Sequence, residues 1–349
     1  MPKILPPGRL RLPALLAALV SLSACDFTPT LNIDLPEHEP LTVINAVLAV
    51  DSVVVVRLDV STDPYILRTY NSQPGRIIDG AVVTLLRDGQ PVERLAVRSR
   101  RCTGDYDHET GQPASYECGP FVGTVPVEAG GTYTVRAEVP GLPAAEGTVT
   151  LPRRPTISAE EIAPLGNGRR QLRVRVQDPA GQGDRYGVTL LSGPRRQTFP
   201  LCNDRTGTCR DTTVVWPRQT LLFSSADPVL LAAGRNLDIE DNTFFFASVT
   251  DASFDGQAWT FTMAAYPRYD YDGMQEGDNG LTVQIAALSG DVYDAYQISY
   301  FSLGDDNPFA EPTNLPSNVV GGYGIVGAVA LAEVPFERES TRHVGFARR

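Results

Sequence analysis

The residues best placed for a defined chemistry lie near the start of the chain, at Leu22-Ser23-Ala24-Cys25. A basic segment carrying Lys3, Arg9 and Arg11 comes first, then an apolar run from Leu12 to Leu22. That run is too short for a permanent bilayer span and has the length of a secretory h-region. Small residues at Ser23 and Ala24 fit a signal peptidase groove. A cysteine directly after them is what lipoprotein processing needs: its thiol takes diacylglycerol, cleavage follows, and the new amino group is acylated. Residues 1–24 are therefore expected to be a lipoprotein signal peptide. Cys25 is the expected lipidated residue, and several acyl chains there give stable anchoring.

Other chemistry finds less support. The histidines are His38, His108 and His343, two of them near the ends, and no GxSxG elbow, HExxH pair or P-loop occurs. The single lysine is Lys3, so a mature chain has none for a Schiff base. Asp105, Asp107 and Glu109 surround His108 and offer oxygen ligands, but they read more simply as a solvated acidic loop. Asp270, Asp272, Glu276 and Asp278 resemble a calcium loop, yet Met274 and Gln275 stand where an EF-hand needs a ligand and a glycine. No metal site, no cofactor and no catalytic set is expected, and a hydrolase using the acidic loops is the remote alternative. Tyr266, Tyr269 and Tyr271 cluster beside acids, a pattern that suits either partner recognition or a loop folded on its own body.

Composition narrows the partners. Taking Lys3, Arg9 and Arg11 from 30 basic residues leaves 27 against 41 acidic ones, a net charge of −14 after processing. Such a surface repels nucleic acid and anionic lipid. Four cysteines remain beside Cys25. In an oxidising envelope they are expected to form two local disulfides, Cys102–Cys118 and Cys202–Cys209, because short loops close at the lowest entropic cost.

The elements expected to position these residues are strands. Residues 25–40 are polar and Pro-bearing, a flexible tether. Alternation places Val54, Val56 and Leu58 on one face, then Tyr133, Val135, Ala137 and Val139, with Asp88-Gly89 as a hairpin turn between. Residues 41–152 read as an immunoglobulin-like β-sandwich, with loops over 61–78 and 99–119. Pro152-Arg153-Arg154-Pro155 reads as a boundary. Residues 153–349 read as a second β domain, a calycin-like barrel or another sandwich, with the barrel slightly preferred. One helix is expected over 291–303, its face marked by Tyr293, Tyr296, Tyr300 and Phe301, with Asp291 and Gly304 as caps.

The chain also resembles a family of Bacteroidota-type outer-membrane lipoproteins, domain of unknown function four-two-four-nine. The resemblance rests on Asp34-Leu35-Pro36 leading into Leu41-Thr42-Val43-Ile44-Asn45, and on Gly80-Ala81-Val82-Val83-Thr84-Leu85 before Asp88-Gly89. Gly131-Thr132-Tyr133-Thr134-Val135 precedes Pro140-Gly141 in the same manner. Its most specific part is C-terminal: Asn307-Pro308-Phe309-Ala310-Glu311-Pro312, Ser317-Asn318-Val319, and the block from Gly321 to Gly327. The resemblance implies a lipid anchor in the outer membrane, facing the periplasm or the cell surface. It implies no catalytic residues, and a role beside a TonB-dependent transporter in nutrient uptake. Phe309 is the expected partner contact. A small-molecule carrier using the C-terminal barrel is the alternative function.

Overall fold

A computed structural model describes residues 38–62, 75–107, 112–165, 169–181, 183–193, 195–202, 207–233, 243–244, 246–266, 280–302 and 316–336. Their architecture is mainly β, in sheets of nine, five and five strands with two separate hairpins. Residues Pro40–Arg349 form one compact unit.

Alternation in the sequence becomes burial in the structure. The strand Val53–Val60 turns Val54, Val56 and Leu58 inward, each at most 4 % exposed. Thr132–Glu138 buries Tyr133, Val135 and Ala137. Arg169–Gln177 buries Leu172, Val174 and Val176 while its arginines stay outside or half-buried. These side chains belong to one continuous apolar core that also takes in Ile285, Phe261 and Val326. Asp88 and Gly89, both at positive φ, make the tight turn between Val82–Arg87 and Gln90–Arg94.

The nine-stranded sheet is built around a parallel pairing. Thr42–Ala49 runs beside Gly322–Phe336, with Thr42 opposite Gly322 and Ala49 opposite Val329. Thr42–Ala49 is flanked on its other side by Val53–Val60, and Gly322–Phe336 by Leu281–Leu288. The expected division at Pro152–Pro155 therefore does not appear as a break in pairing: strands from both sides of it share this sheet.

The C-terminal glycines are needed for close approach. Gly324 has φ 107°, and a Cβ there would collide with the Ile44 carbonyl oxygen of the parallel neighbour. At Gly327 a Cβ would strike the Val292 side chain of the helix Gly290–Ser302. Just upstream, the Asn318 side chain imitates a strand: its amide donates to the Val326 carbonyl at 2.8 Å and its oxygen accepts the Val326 amide at 2.9 Å.

Several elements differ from expectation. No sheet closes into a barrel among the described residues, so the preferred calycin-like reading gives way to open, sandwich-type sheets. The physical reason is that the C-terminal strands are divided between the nine-stranded sheet and a separate sheet containing Thr156–Leu165, Arg169–Gln177 and Ala258–Ala265. The expected loop at 99–119 is a hairpin, Arg100–Asp107 with Gln112–Cys118. The predicted helix starts one residue early, at Gly290, where the Ser289 carbonyl accepts the Tyr293 amide at 3.1 Å. Tyr293 lies under the Arg185 guanidinium, and Tyr296 packs on Phe246 with ring centroids 4.2 Å apart. A second, six-residue helix, Pro228–Ala233, starts where Asp227 accepts the Val229 and Leu230 amides. The tether and Gly304 lie outside the described residues, apart from residues 38–40 of the former.

The parallel seam yields the first expected outcome. Gly324→Val should lower stability by about 3 kcal/mol or more, because it combines a strained φ with a backbone collision. Urea unfolding of the variant checks this. An unchanged midpoint would show that the seam tolerates a side chain there.

Candidate functional site

Two loops separated in sequence meet beside the strands that carry them. Residues 178–184 connect Arg169–Gln177 to Arg185–Ser192, and residues 251–257 connect Phe246–Thr250 to Ala258–Ala265. Backbone bonds set them side by side: the Asp178 amide donates to the Gln257 carbonyl and the Asp251 amide to the Asp184 carbonyl, at 3.3 and 3.1 Å. The second loop opens in a short 3-10 turn, Asp251–Ser253. Buried Phe254 after it stacks on Trp259 at 5.0 Å and tilts against Tyr186.

Carboxylates then tie the loops together in both directions. Asp251 accepts the Gly183 and Asp184 amides, each at 3.1 Å to its nearer oxygen. Asp178 accepts the Tyr186 hydroxyl at 2.6 Å and the Gly256 amide at 2.8 Å. Asp255 accepts the Gly181 amide at 2.8 Å. Asp178 and Asp251 are each only 2 % exposed, so these bonds replace water around buried charge.

The electrostatics follow from the crowding. Burial, then the charges of Asp178, Asp251 and Asp255, push the Asp184 carboxyl above its ordinary range, with Arg185 acting the other way. Burial and the bond to Asp178 push the Tyr186 phenol up, so it remains a proton donor. Oxygens of Asp178, Asp184 and Asp251 lie within 4.8 Å of one another. Three hard oxygen donors in that space can hold calcium or magnesium. Without a cation, the arrangement is a carboxylate latch between two loops, in which burial and the neighbouring carboxylates disfavour the charged form of Asp184.

This cluster was not among the expected sites. Both segments are rich in Asp and Gly, which marks turns, but Gly183 and Asp251 are 68 residues apart and nothing local announces their meeting. Of the acidic loops singled out from sequence, Asp105 and Asp107 lie on the strand Arg100–Asp107. His108, Glu109, Asp270, Asp272, Glu276 and Asp278 fall outside the described residues, as does His343.

The expected contact residues are placed as follows. Tyr266 is half-buried; its ring lies under the Arg169 guanidinium, 4.4 Å from the centroid, and its amide donates to the Leu222 carbonyl. Tyr269, Tyr271, Phe309 and Cys25 lie outside the described residues. Both disulfides are formed as expected, Cys102–Cys118 across one hairpin and Cys202–Cys209 across the other.

No protein-family model and no curated protein matches the chain. Among solved structures, the yeast delta-COP-I mu-homology domain aligns with 12 % sequence identity over 86 % of this chain and 97 % of that one, at a TM-score of 0.15. A likeness at that score carries no argument about fold or function.

The latch has a testable sign. A carboxyl whose folded pKa is raised stabilises the fold below its unfolded pKa, about 4, and loses that contribution as pH rises through the folded value. At neutral pH, ionised Asp184 is therefore a cost. With a chelator present, Asp184→Asn should melt above the parent at neutral pH, and the gap should close as pH falls toward about 4. Thermal melts across that range check this; a variant that melts lower throughout would contradict it. A cation held by three carboxylates would reverse the neutral-pH order on adding calcium, by stabilising the parent more than a variant with one carboxylate fewer.

Proposed function

We propose that the chain is a non-enzymatic envelope lipoprotein, anchored through Cys25 in the outer membrane and accessory to a TonB-dependent transporter in nutrient uptake. The observation that carries this reading is the sequence Leu22-Ser23-Ala24-Cys25 behind a basic segment and a short apolar run. Among the described residues no helix is long and apolar enough to cross a membrane. The lipid is the membrane attachment that this reading invokes.

The transporter partnership rests on the resemblance to the four-two-four-nine family, and a β-rich body with two covalently stapled hairpins is compatible with a binding role. Three histidines, two of them near the chain ends, and no lysine after Cys25 give little material for acid–base or nucleophilic catalysis. The carrier alternative called for a closed C-terminal barrel, and among the described residues no sheet closes.

Changing Cys25→Ser should move the protein from the membrane fraction to the soluble envelope fraction with an unchanged melting temperature. Retention on membranes after a high-salt wash would overturn the anchor. In the parent, mild detergent extraction should recover a TonB-dependent transporter with the protein; recovery of the protein alone would remove the accessory role and leave the anchor standing.

A further inference from the structure

Among the described residues, the hairpin of Arg195–Cys202 and Cys209–Trp216 belongs to no larger sheet. It is fixed at its root, where the Ser192 amide donates to the Gln219 carbonyl and the Gly193 amide to the Gly280 carbonyl, both at 2.8 Å. The Cys202–Cys209 disulfide staples its far end. Leu201 and Val215 on it are 61 % and 56 % exposed. An isolated two-stranded ribbon is marginal in water, and its unpaired edges invite another strand.

The other strands that end a sheet among the described residues are guarded or too short to template a partner. Ala96–Val97, Thr220–Leu221, Thr243–Phe244 and Val319–Val320 are two residues each. Gln90–Arg94 carries Pro91 and Glu93. Thr156–Leu165 carries a bulge at Glu161/Ala163, Pro164, and Glu160 and Glu161 paired to Arg173 and Arg170. Arg100–Asp107 is bulged between Thr103 and Tyr106, and Gln112–Cys118 has Pro113 and the bridge from Arg76. Phe246–Thr250 has a buried centre. Cys209–Trp216, with the sequence CRDTTVVW, has neither proline nor bulge.

The ladder phase tells which groups that edge offers. Cys202 and Cys209 have Cα atoms 3.9 Å apart, and the hydroxyls of opposed Thr198 and Thr213 touch at 2.8 Å. Close approach of this kind marks non-hydrogen-bonded pairs in an antiparallel ladder. Pro200, opposite Asp211, is in the same phase, where its missing N–H would have pointed outward. The Arg195–Cys202 edge therefore lacks a donor at Pro200. On the other strand the amides and carbonyls of Cys209, Asp211, Thr213 and Val215 point away from the hairpin with none missing.

We propose that Cys209–Trp216 pairs edge to edge with the same strand of a second copy, in an antiparallel, two-fold arrangement centred on Thr212. Outward groups must face outward groups, so the two-fold axis passes through a residue. Centred on Asp211 or Arg210, the register would oppose two like charges. Centred on Thr212 it opposes Asp211 with Thr213, Cys209 with Val215 and Arg210 with Val214, and brings no like charges together. All four outward residues of each copy are then bonded.

The test uses the full chain in detergent. Light scattering should give a protein mass twice that of the monomer, and Thr212→Cys should link copy to copy on a non-reducing gel, with peptide mapping placing the bridge between the introduced thiols. Asp211→Pro removes an outward N–H and leaves the hairpin's own bonds intact. It should return the protein to a monomer with an unchanged melting temperature, while Asp211→Asn should stay dimeric. A parent monomeric at the highest concentration it tolerates, a strand from another protein captured in place of a second copy, or a dimer that survives Asp211→Pro would overturn the proposal.

Discussion

The structure depends on the parallel seam between its first and last described strands. Thr42–Ala49 and Gly322–Phe336 pair over eight residues, and nearly the whole described chain forms the connection between them. On one side of the seam lie Val53–Val60 and Phe121–Pro126; on the other lie Leu281–Leu288 and Arg185–Ser192. Removing it would cut the nine-stranded sheet into two halves with raw edges. The seam forms only where backbone can approach backbone, which is what Gly324 permits. The helix Gly290–Ser302 is seated on the same strand: Gly327 leaves room for Val292, and the Ser289 hydroxyl accepts the Ala328 amide at 3.0 Å. Pairing at such high sequence separation is expected to slow folding, since loop entropy is lost before the pairing is gained.

Much of this was legible in the sequence, because most core strands here bury one face. A period of two then shows directly, as in Leu172, Val174 and Val176 or Tyr133, Val135 and Ala137. What escaped has no such signature. Arg195–Cys202 is basic and proline-bearing and pairs only with its own return strand, so no hydrophobic alternation marks it. Thr156–Leu165 lies at a sheet edge, with its glutamates meeting arginines of the neighbouring strand. The boundary drawn at Pro152–Pro155 rested on stiffness and local charge, and local composition cannot report that Thr42 pairs with Gly322, far beyond that boundary.

The acidic latch shows the same limit in a site. Each of its loops looks like an ordinary Asp/Gly turn, and only the fold brings Asp178, Asp184 and Asp251 into one volume. Its position joins the connection that enters Arg185–Ser192 to the one that leaves Phe246–Thr250, two strands that pair with each other. The Gln297 side chain donates to the Ser248 hydroxyl at 2.8 Å, adding a tie from the C-terminal helix to the same region. Charge placed there is thus coupled to the packing of the second half of the nine-stranded sheet.

The central structural claim is that the seam makes the chain on both sides of Pro152–Pro155 one cooperative unit. Native-state hydrogen exchange over a denaturant series tests it most directly. Amides of Val56 and Val135 on one side, and of Val174 and Val283 on the other, should merge onto one opening free energy with one denaturant dependence. Two groups of amides opening at different free energies, divided near residue 152, would contradict the account.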